Sequence, residues 1–169
     1  NLATEIAEDI CVAICEPFRL PFCTARISGT IGMAVYPDMA RDERELFENA
    51  DYAMYRGKRG AGRGAVRLFS NEDEAEIKRC SHIEQALKIA DLDKELTLMF
   101  QPIMDISTGR PHGFEALARW TSPTLGRVGP NEFIPIAERA GIISRITVVL
   151  MRKALAEAAT WPDHMHLSF

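Results

Sequence analysis

The chain has 169 residues, 47% of them hydrophobic and 26% charged, a composition that excludes a disordered chain and a length that buries a sizeable core. Its net charge of −4 argues against a broadly basic nucleic-acid-binding face. No apolar run approaches the roughly 18 residues of a membrane-spanning helix.

Leu2, Ile6, Ile10 and Ile14 repeat at intervals of four, with Ala3, Ala7 and Ala13 widening the stripe, and predict an amphipathic helix limited by Pro17. Asn1–Glu5 has neither a starting Met nor the basic and apolar regions of a signal peptide. It reads as the interior of a helix, so a piece of a longer protein is expected. Ile27, Ile31, Met33 and Val35 share one parity and predict a strand over 26–36 with one buried face, ended by Pro37-Asp38. Asp42 and Glu45 have the spacing of a capping box, opening a helix whose apolar stripe is Leu46, Phe47, Ala50, Ala53 and Met54. Gly57, Gly60, Gly62 and Gly64 are expected to break that helix, interleaved with Lys58, Arg59 and Arg63. A short strand over Ala65–Phe69 follows. Residues 70–94 are highly charged, with Ile77, Ile83, Leu87 and Ile89 as sparse apolar positions, and predict a helical connector. Composition and period both change near residue 70, where a domain boundary is expected.

Leu96–Ile103 and His112–Leu117 flank the turn sequence Asp105-Ile106-Ser107-Thr108-Gly109 and predict an antiparallel hairpin. Gly129-Pro130-Asn131-Glu132 has the form of a helix start, with Pro130 at N1. That helix runs to Gly141, and a longer one is predicted from Ser144 to Trp161, stopped by Pro162. His166–Phe169 reads as the opening of a strand. A chain end inside a strand again predicts a longer protein.

The four cysteines include no Cys-x-x-Cys, and His164 and His166 lie far from them along the chain. Free, mostly buried thiols in a reducing, cytoplasmic compartment are expected rather than a zinc site. Glu115 stands in the apolar stretch Gly113–Trp120, where a lone carboxylate is costly unless paired or bound to a metal. The pattern leaves open a metal or ligand site, an edge-strand Glu, or an ion pair with Arg119. Gln101 on the partner strand either meets a ligand or satisfies a backbone group. Arg119 has the fork geometry to hold a phosphate, and is equally readable as a surface residue. His112 reads as a strand residue. The Gly57–Gly64 segment combines turn-forming glycines with cations, as a phosphate cradle does, but has no Walker A spacing. It is also readable as a solvated helix terminus.

Two groups of motifs resemble known families. Ser28–Pro37 followed by Ala50–Lys58 resembles the C-terminal part of a GGDEF domain, the diguanylate cyclase fold. Gln101–Asp105, Gly113–Trp120 with its Glu115-Ala116-Leu117 tripeptide, and Pro130–Glu138 resemble the start of an EAL domain, the cyclic di-GMP phosphodiesterase fold. The order is that of tandem GGDEF–EAL signalling proteins of bacteria. The resemblance implies an α/β chain with 1–69 as a ferredoxin- or cyclase-like GGDEF remainder, 70–94 as connector, and 95–169 as the opening portion of an EAL (β/α) barrel. The family departs here at Gly57, where Ala is usual, in a loop after Lys58 that is one residue longer, and at Gly64, where Asn is common.

For the parent protein the resemblance implies hydrolysis of cyclic di-GMP to linear pGpG with Mg²⁺ or Mn²⁺. Glu115 matches a metal-binding Glu, Arg119 a residue at the dinucleotide phosphate, Gln101 a pocket Gln, and Leu117 a lining residue. Lys58 matches a Lys near the triphosphate of GTP. Two metal ions need several oxygen ligands, so this chain, with one matching Glu, is expected to be inactive alone. The alternatives are a degenerate sensor or regulatory module binding GTP or cyclic di-GMP, and a bifunctional cyclase and phosphodiesterase. The resemblance also implies upstream sensory domains and, through them, a possible membrane tether. The half-covered sheets implied by the motifs predict either cover by further protein or pairing into a homodimer, with the hairpin at 96–117 and the strand at 26–36 as the pairing edges.

Overall fold

The computed structural model describes residues 2–60 and 64–169. The chain divides into two compact units, Asn1–Ile77 and Lys78–Phe169.

In the first unit, α1 (Leu2–Cys15) leads to a two-stranded antiparallel ribbon of β1 (Phe18–Arg19) and β2 (Thr24–Ala25). The ribbon was not legible in the sequence. Helix α1 buries Ala7 and Cys11, whereas Leu2, Ile6 and Ile10 of the predicted stripe stay exposed. The Cys11 thiol points inward and donates to the Gly29 carbonyl at 3.5 Å. Cys15 and Cys23 are exposed and Cys80 is half-buried, so the thiols are free but not mostly buried.

Strand β3 covers only Ile31–Met33, and Ile27 is 55% exposed. The predicted strand over 26–36 is therefore much shorter than its parity suggested. Among the described residues its sheet neighbour is β4 (Val66–Leu68), which pairs in parallel over three residues, Ile31 to Val66, Gly32 to Arg67 and Met33 to Leu68. Between them in sequence runs α2 (Glu43–Gly60). It lies so close to β3 that a Cβ placed on Gly32 would fall 2.0 Å from the Ala50 carbonyl oxygen and 2.3 Å from the Met54 nitrogen.

The predicted N-cap of α2 forms, since Asp42 Oδ1 accepts the Glu45 N–H at 2.8 Å. The reciprocal bond closes one residue earlier than a capping box would, from the Arg41 N–H to the Glu45 carboxylate at 2.7 Å. Phe47 is exposed, while Ala53 is fully buried. Gly57 does not break the helix, which continues to Gly60. The reason is packing: a Cβ on Gly57 would meet the Thr30 methyl at 2.9 Å, so the missing side chain admits the neighbouring segment.

The charged stretch after residue 70 opens α3 (Asn71–Ile89) through one buried acid. Asp73 is 0% exposed and accepts from Arg67 at 2.8 Å and from the Ser70 N–H at 3.1 Å. The Ser70 hydroxyl in turn accepts the Asp73 N–H, closing a reciprocal cap. Arg56 approaches the same carboxylate at 3.8 Å and also pairs with Glu76. A buried carboxylate held by two guanidinium groups and a helix cap is costly to lose. Its arginine partners are about one-third exposed and keep some hydration, so we expect Asp73→Ala to destabilise the first unit by about 2 kcal/mol. Urea unfolding followed by circular dichroism measures this; an unchanged midpoint would remove the clamp from the account.

In the second unit, α3 contributes Ile83 and Leu87, each 1% exposed. Then follow α4 (Leu92–Glu95), β5 (Leu96–Met104), β6 (Pro111–Ser122), β7 (Gly126–Val128), α5 (Pro130–Arg139), α6 (Ile143–Ala158) and β8 (His166–Ser168). The sheet has the order β5-β6-β7, with β8 also pairing β6. Strand β6 is antiparallel to β5 and β7 and parallel to β8. The predicted hairpin forms, but β6 runs five residues past Leu117 to Ser122. That extension builds the β7 pairing, which sequence reading missed.

Helices α5 and α6 cover one face of this sheet. Trp120, Leu96, Phe133 and Ile146 form the centre of the core, each at most 1% exposed. The Trp120 indole N–H is satisfied by the Glu95 carboxylate at 3.0 Å, and the same carboxylate accepts the Asp91 N–H that begins α4. Trp161 lies beyond the end of α6 rather than within it, and packs edge-on against Phe100 with ring centroids 5.3 Å apart. Mixed α/β structure with an open, unclosed sheet agrees with the fold class implied by the motifs. No helix among the described residues is long and apolar enough to cross a membrane.

Candidate functional site

Residues that pair in register across a sheet share a face, and burial alternates along β5, with Leu96, Leu98 and Phe100 turned toward the helices. Thr97, Met99 and Gln101 are therefore on the opposite face. Their partners on β6 are Arg119, Leu117 and Glu115 respectively. The hairpin thus gathers Gln101, Glu115, Leu117 and Arg119, all picked out in the sequence, onto one side of two adjacent strands. Gln101 and Glu115 are direct cross-strand neighbours and both are exposed.

Glu115 and Arg119 do not pair, although the sequence left that open. Four residues along a strand span roughly 13 Å, too far for contact, and the Arg119 guanidinium instead donates to the Ala118 carbonyl at 2.7 Å. Glu115 also takes part in no ion pair or side-chain hydrogen bond with any described residue. A carboxylate on a sheet face with no cation partner is available to one brought by a ligand or a metal.

Strand β8 extends the row. Its register places Gly113 beside His166 and Glu115 beside Ser168. The two strands approach closely at Gly113, where a Cβ would sit 2.4 Å from the His166 carbonyl oxygen. His112 and His166 make an edge contact at that end, with ring centroids 5.9 Å apart. We expect Gly113→Ala to push β8 off β6. Only three residues are paired there, so the cost is limited to about 1–2 kcal/mol. Hydrogen exchange should show faster exchange of the β8 amides with the β5–β6 amides unchanged; unaltered β8 protection would contradict the close approach.

A cavity of about 350 Å³ lies between β6 and helices α5 and α6, lined by β6 from Ala116 to Arg119 and by Ile134, Ile146, Leu150 and Phe169 among others. Leu117 and Arg119 of the site line its edge, whereas Gln101 and Glu115 do not. Lys58 is in the other unit, exposed in the last turn of α2. Of the Gly57–Gly64 segment, residues 61–63 lie outside the described residues. At the hairpin turn, the Ser107 hydroxyl, with the Ser107 and Thr108 N–H groups, holds the Asp105 carboxyl below the ordinary carboxylate range. This fixes the turn rather than the row.

The Glu115 carboxylate and the Gln101 amide oxygen are hard donors of the kind Mg²⁺ and Mn²⁺ take. Among the described residues no group of three or more His, Cys, Asp or Glu gathers to hold a metal ion. The donors fit these ions in kind, and one carboxylate leaves most of a coordination sphere of about six to be supplied from elsewhere.

Residues 83–169 match the EAL domain family, and the chain belongs to it. It is related to the tandem GGDEF–EAL proteins of cyclic di-GMP signalling, as its motifs implied. The biofilm architecture maintenance protein MbaA of Vibrio cholerae is 40% identical over 134 residues, covering 79% of this chain and 17% of MbaA. The bifunctional diguanylate cyclase/cyclic di-GMP phosphodiesterase MucR of Pseudomonas aeruginosa is 32% identical over 164 residues, covering 97% of this chain and 24% of MucR. The cyclic di-GMP phosphodiesterase PdeR of Escherichia coli K12 is 30% identical over 147 residues, 87% of this chain and 22% of PdeR. Among solved structures, the PaMucR phosphodiesterase in complex with c-di-GMP matches with a TM-score of 0.41 and 28% identity, over 53% of this chain and 36% of that one. The chain therefore spans about a fifth of the length of these curated relatives.

Proposed function

We propose that the full-length protein hydrolyses one phosphodiester bond of cyclic di-GMP, giving linear pGpG in bacterial second-messenger signalling. The observation that carries this reading is the Gln101–Glu115 pair with Leu117 and Arg119 on the same sheet face, in a chain of the EAL family. The activity stated for MucR and PdeR supports it. Residues 1–69 are then the end of a GGDEF domain, 70–94 the connector, and 95–169 the start of the EAL domain.

Each residue has a distinct task. Arg119 holds a phosphate through two parallel N–H groups. Leu117 gives the neighbouring base or sugar an apolar wall. Gln101 orients the Glu115 carboxylate or a phosphate oxygen through its amide. Glu115 is the metal ligand. Bound Mg²⁺ or Mn²⁺ supplies Lewis acidity at the phosphate oxygens and lowers the pKa of water. With one carboxylate in the row, the 169-residue chain is not expected to hydrolyse the diester by itself. Lys58 is the residue of the first unit that would approach a nucleotide triphosphate. Its exposure suits a second reading in which the GGDEF part binds GTP.

Incubating the full-length protein with cyclic di-GMP and Mg²⁺ or Mn²⁺, and separating products by chromatography, tests the proposal. Accumulation of pGpG is expected. Tight binding of intact cyclic di-GMP without turnover would favour the sensor over the enzyme.

A further inference from the structure

We infer that Ser168 is a positioning residue for Glu115, completing a polar row that crosses three adjacent strands. This rests on the hydrolytic reading above and adds a residue to that site. The register places Gln101 of β5 directly opposite Glu115 of β6, and Glu115 directly opposite Ser168 of β8. Neighbouring strands lie roughly 4.8 Å apart, so the carboxylate stands between an amide on one side and a hydroxyl on the other. The flanking positions on this face are Met99 and Ile103 of β5, Leu117 and Gly113 of β6, and, one level away beside Gly113, His166 of β8. Ser168 therefore brings the one polar group that β8 offers at the level of the acid.

The physical need is clear. A ligating carboxylate has four lone-pair sites and two rotatable bonds beyond Cβ, and its orientation is set by the donors around it. Among the described residues no arginine or lysine does this for Glu115. Its strand neighbours are the remaining donors, and the Ser168 hydroxyl is short, neutral and able to rotate toward either carboxylate oxygen. In this structure the three side chains are in register without a hydrogen bond joining them. Orientation by Ser168 is the step that engagement of the carboxylate completes. The close approach of β6 and β8 at Gly113 holds Ser168 at that level.

The test uses the full-length protein with cyclic di-GMP. Ser168→Ala should lower kcat about tenfold, with KM, the Kd for cyclic di-GMP measured by calorimetry without divalent ions, and the melting temperature all near wild type. Ser168→Thr, which keeps the hydroxyl, should restore most of kcat. A wild-type kcat in Ser168→Ala would overturn the inference. So would a loss that Thr does not rescue, or one accompanied by a matching fall in melting temperature, since both describe a merely structural serine. Each of these leaves the hydrolytic reading standing. A wild-type protein that never produces pGpG overturns that reading, and with it the role of Ser168.

Discussion

Glu115→Gln in the full-length protein is expected to lower cyclic di-GMP hydrolysis about a thousand-fold, or roughly 4 kcal/mol of transition-state stabilisation. The substitution keeps the shape and polarity of the side chain and removes its charge, so it separates ligation from packing. The structure makes the separation clean. Glu115 is exposed and carries no ion pair or side-chain hydrogen bond among the described residues, so the described fold loses no partner when it becomes neutral. The melting temperature should therefore stay within experimental error while kcat collapses. A variant that keeps a tenth or more of the activity would remove Glu115 from the metal site. One that loses activity and stability together would make it a structural residue.

Gly32→Ala should produce the largest loss of stability, about 4 kcal/mol, at the upper end of what overpacking costs. The atoms that a Cβ would strike are the Ala50 carbonyl oxygen and the Met54 nitrogen, both backbone of α2. Neither can rotate away, so α2 must separate from β3. That separation also pulls on Ala53, which is fully buried in the same helix. Gly57→Ala is the internal comparison. Its Cβ would meet side chains alone, the Thr30 methyl at 2.9 Å and the Arg67 Cβ at an ordinary 3.7 Å, and a side chain can turn aside, so about 1 kcal/mol is expected. Urea unfolding of both variants reads the order directly. Equal midpoints, or a milder Gly32 variant, would show that α2 and β3 are not in backbone contact.

Long periodic elements with strong stop signals were legible in the sequence. The Pro130 helix start, the two helices of the second unit and the hairpin around Gly109 all formed, because each is set by local chemistry. So was the candidate row, since alternation along β5 and β6 puts Gln101 and Glu115 on one face once the turn is fixed. Ser168 was not legible in this role, because its place beside Glu115 depends on the register of a parallel pairing between segments about fifty residues apart. The first unit was harder for a different reason. Its packing uses small residues, Ala7, Cys11, Gly32 and Ala53, at points of close approach, whereas periodicity weights large apolar side chains. Leu2, Ile6 and Phe47 dominated the pattern and stay exposed. Gly57 illustrates the same error: read as a helix breaker, it is a contact surface.

A crystal structure of the full-length protein with cyclic di-GMP and Mg²⁺ would locate the ligand and the metal together. The dinucleotide is expected on the Gln101–Glu115 face of the hairpin, with a Glu115 oxygen about 2.1 Å from a metal ion and the Arg119 guanidinium on a phosphate. A ligand seated instead among Ile134, Ile146 and Leu150 of the two helices, with no metal ion at Glu115, would contradict it.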